Sequence, residues 1–591
     1  MYPYEYMDSF DRLNENKLPS IESFFSKLSN KNITKKEYNS AVTLFESMKC
    51  KTIKDYHDIY LKLDVLLLAD IIENYRELSI KQMNIDPSYY ISTPSFAYDC
   101  MLKDTSVKCD PLHDKSMYDM LQRGSIGGIC FVGKRKAIKH ENNHLLYIDA
   151  NALYASSAHN NYLPISNYKY CDEEFNKERI LNINDDSNIG YIFDVDLHYP
   201  QHLHDHHASY PLAPEKINAQ NSQFMNDLCN KYNIQQDNDL KIINSLNDKT
   251  NYVIHYRLLK LYLQLGLELV KVNKVIQFEQ SPWLQSYVSK NNEHRKVAKQ
   301  NNNTVLSNYY KLLNNSVYGR FNMNVLKHKN LEFVKAQTYD NRDKYRKILL
   351  KRFSNSRFIN FEPLTTQEND PFSMVVIEKK KSEYKLNQLY AVNKAILDNS
   401  KYIMYDFYYN VLKKKYPNVE LCYTDTDSLL VEIPVSTDAF TSDLLEDSNF
   451  AGWFDFSNYP KQHALYNTNN ENQFGKFKDE MGGRTIEQFI GLRPKLYNII
   501  CKDSGYSKIK AKSVKNSVKN DITKDDFERC LTPSNEADAK QTIKYTTINC
   551  DNHLLNTKEN IIRALSSYDN KRYYIDNTTS LPFGHYKIVN N

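Results

Sequence analysis

The run Tyr423-Thr424-Asp425-Thr426-Asp427-Ser428 lies between the apolar residues 419–422 and 429–433, and its reading decides the fold. Two short β-prone runs that close on a tight polar turn predict a β-hairpin. Side chains alternate along a strand, so Asp425 and Asp427, two apart, are expected to present carboxylates to one side. Carboxylates that close repel each other unless a cation lies between them. Hard divalent ions are the natural occupants, and Mg²⁺ takes one or two carboxylates together with substrate phosphates. The plainer alternative is an Asx-rich turn without a ligand.

The rest of the chain sets bounds on that reading. At 591 residues it has room for several domains. With 25% charged and 41% hydrophobic residues it has the balance of an ordinary soluble protein, and a net charge of +5 permits a nucleic-acid partner without demanding one. The ten cysteines are scattered with no C-x-x-C pair, which argues against a zinc site or disulfide framework and fits a reducing intracellular compartment. No apolar run is long enough for a membrane span, because residues 65–72 are broken by Asp70. The first fifteen residues, acidic and aromatic, do not have the pattern of a signal or transit peptide.

Working outward, residues 145–149 form a short apolar run that ends in Asp149, as in a buried strand, and residues 151–157 turn into a helix start. A metal-binding Asp at a strand end, beside a turn whose amides face a triphosphate, suits phosphoryl transfer. Further on, Arg295 and Lys299 precede Lys311-Leu312-Leu313-Asn314-Asn315-Ser316-Val317-Tyr318-Gly319. Apolar positions 306, 310, 313 and 317 make one helix face, and Lys311 and Asn315 share another. Cations standing off a helix can clamp a triphosphate, although a solvated basic face is the blander alternative. Beyond the hairpin come Lys495-Leu496-Tyr497 and a lysine stripe over 508–519 suited to duplex phosphates.

Three upstream features remain. Residues 55–70 predict an amphipathic core helix bearing Tyr60 and Asp64 one turn apart, where Tyr could orient a water and Asp hold a metal. Residues 20–29 and 35–48 are expected to be helices. Gly124-Ser125-Ile126-Gly127-Gly128 could bring backbone close to a phosphate or simply turn. The cluster His202-Leu203-His204-Asp205-His206-His207 reads as a solvated loop rather than a ligand set.

In this order the motifs resemble those of family B DNA polymerases of the protein-primed type, organellar and viral, close to those of polinton/maverick transposons and adintovirus-like elements. The hairpin is similar to that family's Y-x-D-T-D-S. Residues 149–156 resemble D-x-x-S-L-Y-P-S, with Ala152 and Ala155 in place of Ser and Pro. Residues 311–319 fit K-x-x-x-N-S-x-Y-G throughout, and 495–497 fit K-x-Y. Residues 125–128 resemble Y-x-G-G with Ser125 for the Tyr. Tyr60 and Asp64 are similar to the third motif of a 3′–5′ exonuclease whose first two motifs do not precede them.

The resemblance implies an α/β multidomain, right-hand polymerase (palm, fingers, thumb) with a truncated exonuclease-like, ribonuclease H-like N-terminal remnant. It places the end of the exonuclease-like domain at 1–95 and a connector at 96–145. Palm would occupy 146–194 and 393–500, fingers 286–325 and thumb 501–591. Terminal-protein-region insertions would fill 195–285 and 326–392. It implies catalytic Asp149, Asp425 and Asp427, with two Mg²⁺ ions, replaceable by Mn²⁺, on Asp149, Asp427 and the Ala150 carbonyl. Asp425 would be an orienting group. Lys311, Asn315, Tyr154, Tyr318, Lys299 and Arg295 would bind the dNTP, and Lys495, Tyr497, Thr426, Ser428, Gly127 and Gly128 the primer and DNA. The implied partners are template–primer DNA, dNTPs and a terminal priming protein, with no membrane, in a nucleus or viral replication site. The function would be replication of a viral or transposon-like DNA genome, without proofreading from Tyr60 and Asp64 alone. The competing reading is a catalytically inactive DNA-binding relic of an integrated element. A reverse transcriptase would carry Y-x-D-D instead.

Overall fold

The computed structural model describes residues 1–588 apart from 30, 340, 365–372, 503–504 and 552–553. Parts of the insertion expected at 326–392 and of the thumb expected at 501–591 therefore lie outside the described residues.

A six-stranded sheet organises the middle of the molecule. In chain order the strands that matter here are β1 (Cys130–Val132), β2 (Lys136–Ile138), β3 (His144–Ala150), β4 (Glu420–Asp425), β5 (Ser428–Ile433), β6 (Phe454–Asp455), β7 (Phe477–Asp479), β8 (Ile486–Arg493), β9 (Leu496–Cys501) and β10 (Ser507–Ala511). The central sheet runs β1-β4-β5-β3-β7-β6, and a four-stranded sheet β10-β9-β8-β2 adjoins it. The sequence of β3 explains its place. Six of its seven residues are buried, as a continuous apolar run requires of a strand covered on both faces. Its period of two sends Leu146 and Ile148 into a core with Leu429, Val431 and Phe407, and Leu145 and Tyr147 into another with Leu430, Tyr423 and Phe489. A slip of one residue would exchange the two cores, so the register is strongly fixed.

A helix, Tyr390–Asp406, has 14 buried residues, including Lys394, Asp398 and Lys401, and packs on strands Leu163–Tyr170 and Lys249–His255. Two more helices, Gln285–Gln300 and Thr304–Phe321, are tied by the Asn291 Nδ2 to Asn314 Oδ1 hydrogen bond of 2.9 Å. The face expected at Tyr310, Leu313 and Val317 is buried against Phe96 and Met101. A second four-stranded sheet pairs Leu163–Tyr170 and Ile189–His198 with Lys249–His255 and Glu268–Ser281. A division of the chain at residue 195 would cut that sheet.

Two expectations need correction. Residues 20–29 give only a short 3-10 turn, Ile21–Phe24. The helix over 55–70 forms, as part of Ile53–Met83, and Thr52 and Asp55 cap it reciprocally. It is not an amphipathic core helix. Only Ile53, Tyr56 and Ser79 are buried, while Leu61, Leu63, Val65, Leu66, Leu67, Leu68, Ile71 and Ile72 are each 42–64% exposed. Four consecutive apolar residues, 65–68, point to every side of a helix, so no single packing face could cover them.

Candidate active site

The hairpin closes at Asp425 and Ser428. Thr426 has φ +66°, and the Asp427 N–H donates to the Asp425 carbonyl at 2.7 Å, which makes a γ-turn of the rare positive-φ kind. That conformation costs a β-branched residue on the order of 1–3 kcal/mol. It is held by neighbours: the Thr426 N–H donates to the Ile129 carbonyl at 2.7 Å, and the Ala150 N–H donates to the Asp427 carbonyl at 2.7 Å. Gly128 must lack a side chain, because a Cβ there would lie 2.2 Å from Thr426 Oγ1.

The turn separates the two aspartates. Asp425 ends a strand and Asp427 sits in the turn, so strand alternation is not what relates them. Instead, the pairing of Ser428 with Asp149 brings the turn alongside the end of β3. Asp149, Asp425, Asp427, Ser428, Lys495 and Tyr497 then line one cleft of about 460 Å³. Lys495, at φ +62° in the β8–β9 turn, places its ammonium on both oxygens of Asp425. Burial disfavours the Lys495 charge, but Asp425 outweighs it and raises the pKa. Tyr497 donates or accepts at 3.0 Å with Tyr147.

Electrostatics single out the other two carboxylates. Burial pushes Asp149 up to about 8, and the charges of Asp427 and Glu480 add to the shift. Burial likewise pushes Asp427 up to about 6, against the pull of its own backbone N–H. Two desolvated carboxylates that resist ionising side by side are a donor set that a divalent cation would relieve. Among the described residues no three His, Cys, Asp or Glu side chains form a ready-made metal cage. Two carboxylates open to solvent and substrate fit Mg²⁺, which keeps waters and takes phosphate oxygens, better than a calcium or zinc site. Asp425, committed to Lys495, fits an orienting role.

Several residues that line this cleft lie outside the motifs, among them Glu480 and Lys508. Glu480 follows β7, its N–H donating to the Tyr147 carbonyl at 2.8 Å, and Lys508 Nζ meets Glu480 Oε2 at 2.6 Å. Only the pairing of β7 with β3 puts Glu480 beside Asp149, and nothing local in the sequence signals it.

On the other side of β3, Tyr154 follows Ala152, which opens the Leu153–His159 helix at φ +47°. Tyr154 stacks on Tyr318 with ring centroids 4.1 Å apart and planes 7° apart. Lys311 and Asn315 are exposed on the Thr304–Phe321 helix. Burial lowers the Lys299 pKa, and Arg295, Lys478 and Lys311 lower it further, so four cations share one field. Arg295 keeps a buried Nε that has no hydrogen-bond partner among the described residues, a donor suited to an anion. Lys478 had no signal in the sequence; it reaches this group because β7 pairs with β3 at Asp149.

Residues 1–414 match the family described as DNA polymerase type B, organellar and viral. The chain belongs to that family. No curated protein sequence matches it. Among solved structures it is similar to phi29 DNA polymerase in an orthorhombic crystal form, at 11% identity and a TM-score of 0.49, covering 96% of this chain and 78% of that one. The phi29 complex with primer-template DNA gives 11% identity and a TM-score of 0.48, covering 95% and 78%. The family B polymerase of the hyperthermophilic archaeon Pyrobaculum calidifontis gives 10% and 0.28, covering 78% and 41%.

In this type B DNA polymerase the remaining sequence candidates fall elsewhere. A Cβ added at Gly127 would lie 3.6 Å from Ile242 Cδ1. Tyr60 stacks on Tyr2 and its OH lies 2.8 Å from that of Tyr4, which raises its pKa. Neither Tyr60 nor Asp64 lines the polymerase cleft. The histidine run is not a solvated loop throughout. His207 is fully buried against the Tyr199 OH at 2.8 Å, which pushes its pKa down to about 3, and His204 Nδ1 accepts from the Tyr586 N–H at 3.1 Å. No described helix is long and apolar enough to cross a membrane.

Proposed function

We propose that this polymerase extends a primer 3′-hydroxyl with deoxynucleotides copied from a DNA template, using a two-cation site at Asp149 and Asp427. The observation that carries the reading is the juxtaposition of these two desolvated carboxylates, joined by the hydrogen bond from Ala150 to Asp427 and both held toward neutrality. Asp149, Asp427 and the Ala150 carbonyl would hold two Mg²⁺ ions. Bound there, they would lower the pKa of the primer hydroxyl and neutralise the triphosphate.

The chain's own groups account for the rest. Lys311, Lys299 and Arg295 receive phosphate oxygens, where the spare Arg295 Nε and the mutual repulsion of the cations both favour an anion. The Tyr154–Tyr318 stack forms the floor beneath the sugar and base, with Asn315 beside it. Lys495, aimed by Asp425, and Tyr497 hold the primer end. Thr426 and Gly128 shape the turn, and with Ser428 and Gly127 they would lie toward the primer and DNA. In this reading β1, β3–β7 and the Tyr390–Asp406 helix are palm, the two helices at 285–321 are fingers, and the thumb begins near 501. The Ile53–Met83 helix belongs to an exonuclease-like domain without proofreading from Tyr60 and Asp64 alone. Protein priming on a viral or transposon-like genome completes the proposal.

Primer extension on a primed DNA template, with Mg²⁺ and dNTPs, tests it beside Lys311→Ala. Template-directed products that weaken with the substitution support the reading. DNA binding without extension would instead favour an inactive relic.

A further inference from the structure

The segment from Gly124 to Cys130 carries three glycines, at 124, 127 and 128, and so has few side chains to pack. It nevertheless covers one flank of the carboxylate hairpin. Ile129 accepts the Thr426 N–H, Gly128 lies against the Thr426 side chain, and Cys130 pairs with Asp425. Its buried side chains, Ile129 and Cys130, lie at its far end, so the glycine-rich stretch before them leans on its backbone.

Three lysines from distant parts of the chain do this. Lys394 Nζ donates to the Gly124 carbonyl at 2.7 Å, Lys401 Nζ to the Ile126 carbonyl at 2.7 Å, and Lys571 Nζ to the Cys130 carbonyl at 2.8 Å. Lys394 and Lys401 are buried on the Tyr390–Asp406 helix, 2% and 6% exposed. They share a single buried carboxylate, Asp398, at 2.7 and 3.5 Å, which also accepts the His255 N–H at 2.8 Å. Lys571 is half-buried in the C-terminal stretch. Two ammoniums around one carboxylate inside a core are expensive, and apolar residues of similar volume would often be at least as stable. Such groups make sense where they fix a conformation.

We propose that Lys394, Lys401 and Lys571 are positioning residues for the carboxylate hairpin, acting through the backbone carbonyls of Gly124, Ile126 and Cys130. The route is contiguous: lysine to carbonyl, segment to Thr426, and Thr426 to the turn that carries Asp427. Its catalytic consequence rests on the polymerase reading; its structural part does not.

The test compares Lys571→Met, Lys571→Arg and Lys401→Met with the wild-type full chain, by hydrogen–deuterium exchange and by single-nucleotide incorporation. The Met variants should speed exchange of the Thr426 and Asp427 amides roughly tenfold or more, with distant segments unchanged. They should lower kcat about 10- to 100-fold while leaving KM for the dNTP within about twofold, because misplacement of reacting groups costs rate before affinity. Lys571→Arg, which keeps a donor, should recover both. Because Lys571 is only half-buried, its variants serve where Lys401→Met fails to fold. Hairpin exchange at wild-type rates in the Met variants overturns the proposal. So does faster exchange with unchanged kcat, or a failure of Arg to restore either readout. An inert wild-type chain whose hairpin still loosens in the Met variants supports the anchoring and overturns only the polymerase reading.

Discussion

The carboxylate hairpin and the Ile53–Met83 helix start from similar sequence material, an apolar run carrying acidic residues, and end in opposite states. Around the hairpin, Leu429, Leu430 and Val431 are wholly buried, and the turn is fixed by hydrogen bonds from two other segments. Along the helix, Leu66, Leu67 and Ile71 stand 61%, 56% and 64% exposed, and Asp64 is exposed among them. The difference lies in neighbours. A strand with a fixed register obliges its partners to meet it, whereas a helix apolar on all sides needs cover from several directions. Burial beside one another is what raises the pKa of Asp149 and of Asp427 and gives them a chemical role.

Several substitutions put that contrast to the test. Asp427→Ala should cut primer extension by about 1,000-fold or more, since the cation site loses one of two carboxylates, while Asp64→Ala should leave it within about twofold. Gel-based extension kinetics on one template checks both, and a comparable loss from Asp64→Ala would erase the contrast. Lys311→Ala should raise KM for the dNTP roughly 10- to 100-fold with template affinity kept, measured by steady-state incorporation and by DNA-binding titration.

A smaller effect concerns stability. Folded Asp149 and Asp427 titrate at about 8 and about 6, above the unfolded value of 3.8. Between those values the folded chain keeps protons that the unfolded chain has released, so stability without divalent ions falls as pH rises from about 4 to 8. Asp149→Asn should flatten that fall and gain on the order of 1–3 kcal/mol near pH 8 without added cations. Denaturant unfolding across this pH range, with and without Mg²⁺, checks the sign. A variant as pH-sensitive as wild type would contradict it. Smallest of all, Leu66→Gln with Leu67→Gln should change stability by no more than about 0.5 kcal/mol, because neither side chain is covered.

These contrasts mark what the sequence could reveal. The hairpin, the strand ending at Asp149 and the buried face of the Thr304–Phe321 helix were legible because each is a local periodic pattern with a polar residue out of place. Family resemblance added the pairing of roles. Three things were not legible. The grip of Lys495 on Asp425 joins residues 70 apart through a turn at positive φ. Glu480 and Lys478 reach the two sides of Asp149 only through the register of a three-residue strand. The burial of Lys394 and Lys401 reverses the usual fate of lysine on a helix, and only the carbonyls they meet explain it. The long helix differs from its sequence reading for a simpler reason: helical spacing is present, but so are apolar residues in the positions between.

The most direct test of the central claim is Mg²⁺-dependent, template-directed addition of one nucleotide to a primer, by wild type and Asp427→Ala side by side. Wild type should add the templated nucleotide, and none without Mg²⁺, while the variant should lose about 1,000-fold or more despite unchanged DNA binding. Addition that survives in Asp427→Ala, or a folded wild type that binds primed DNA and adds nothing, would contradict it.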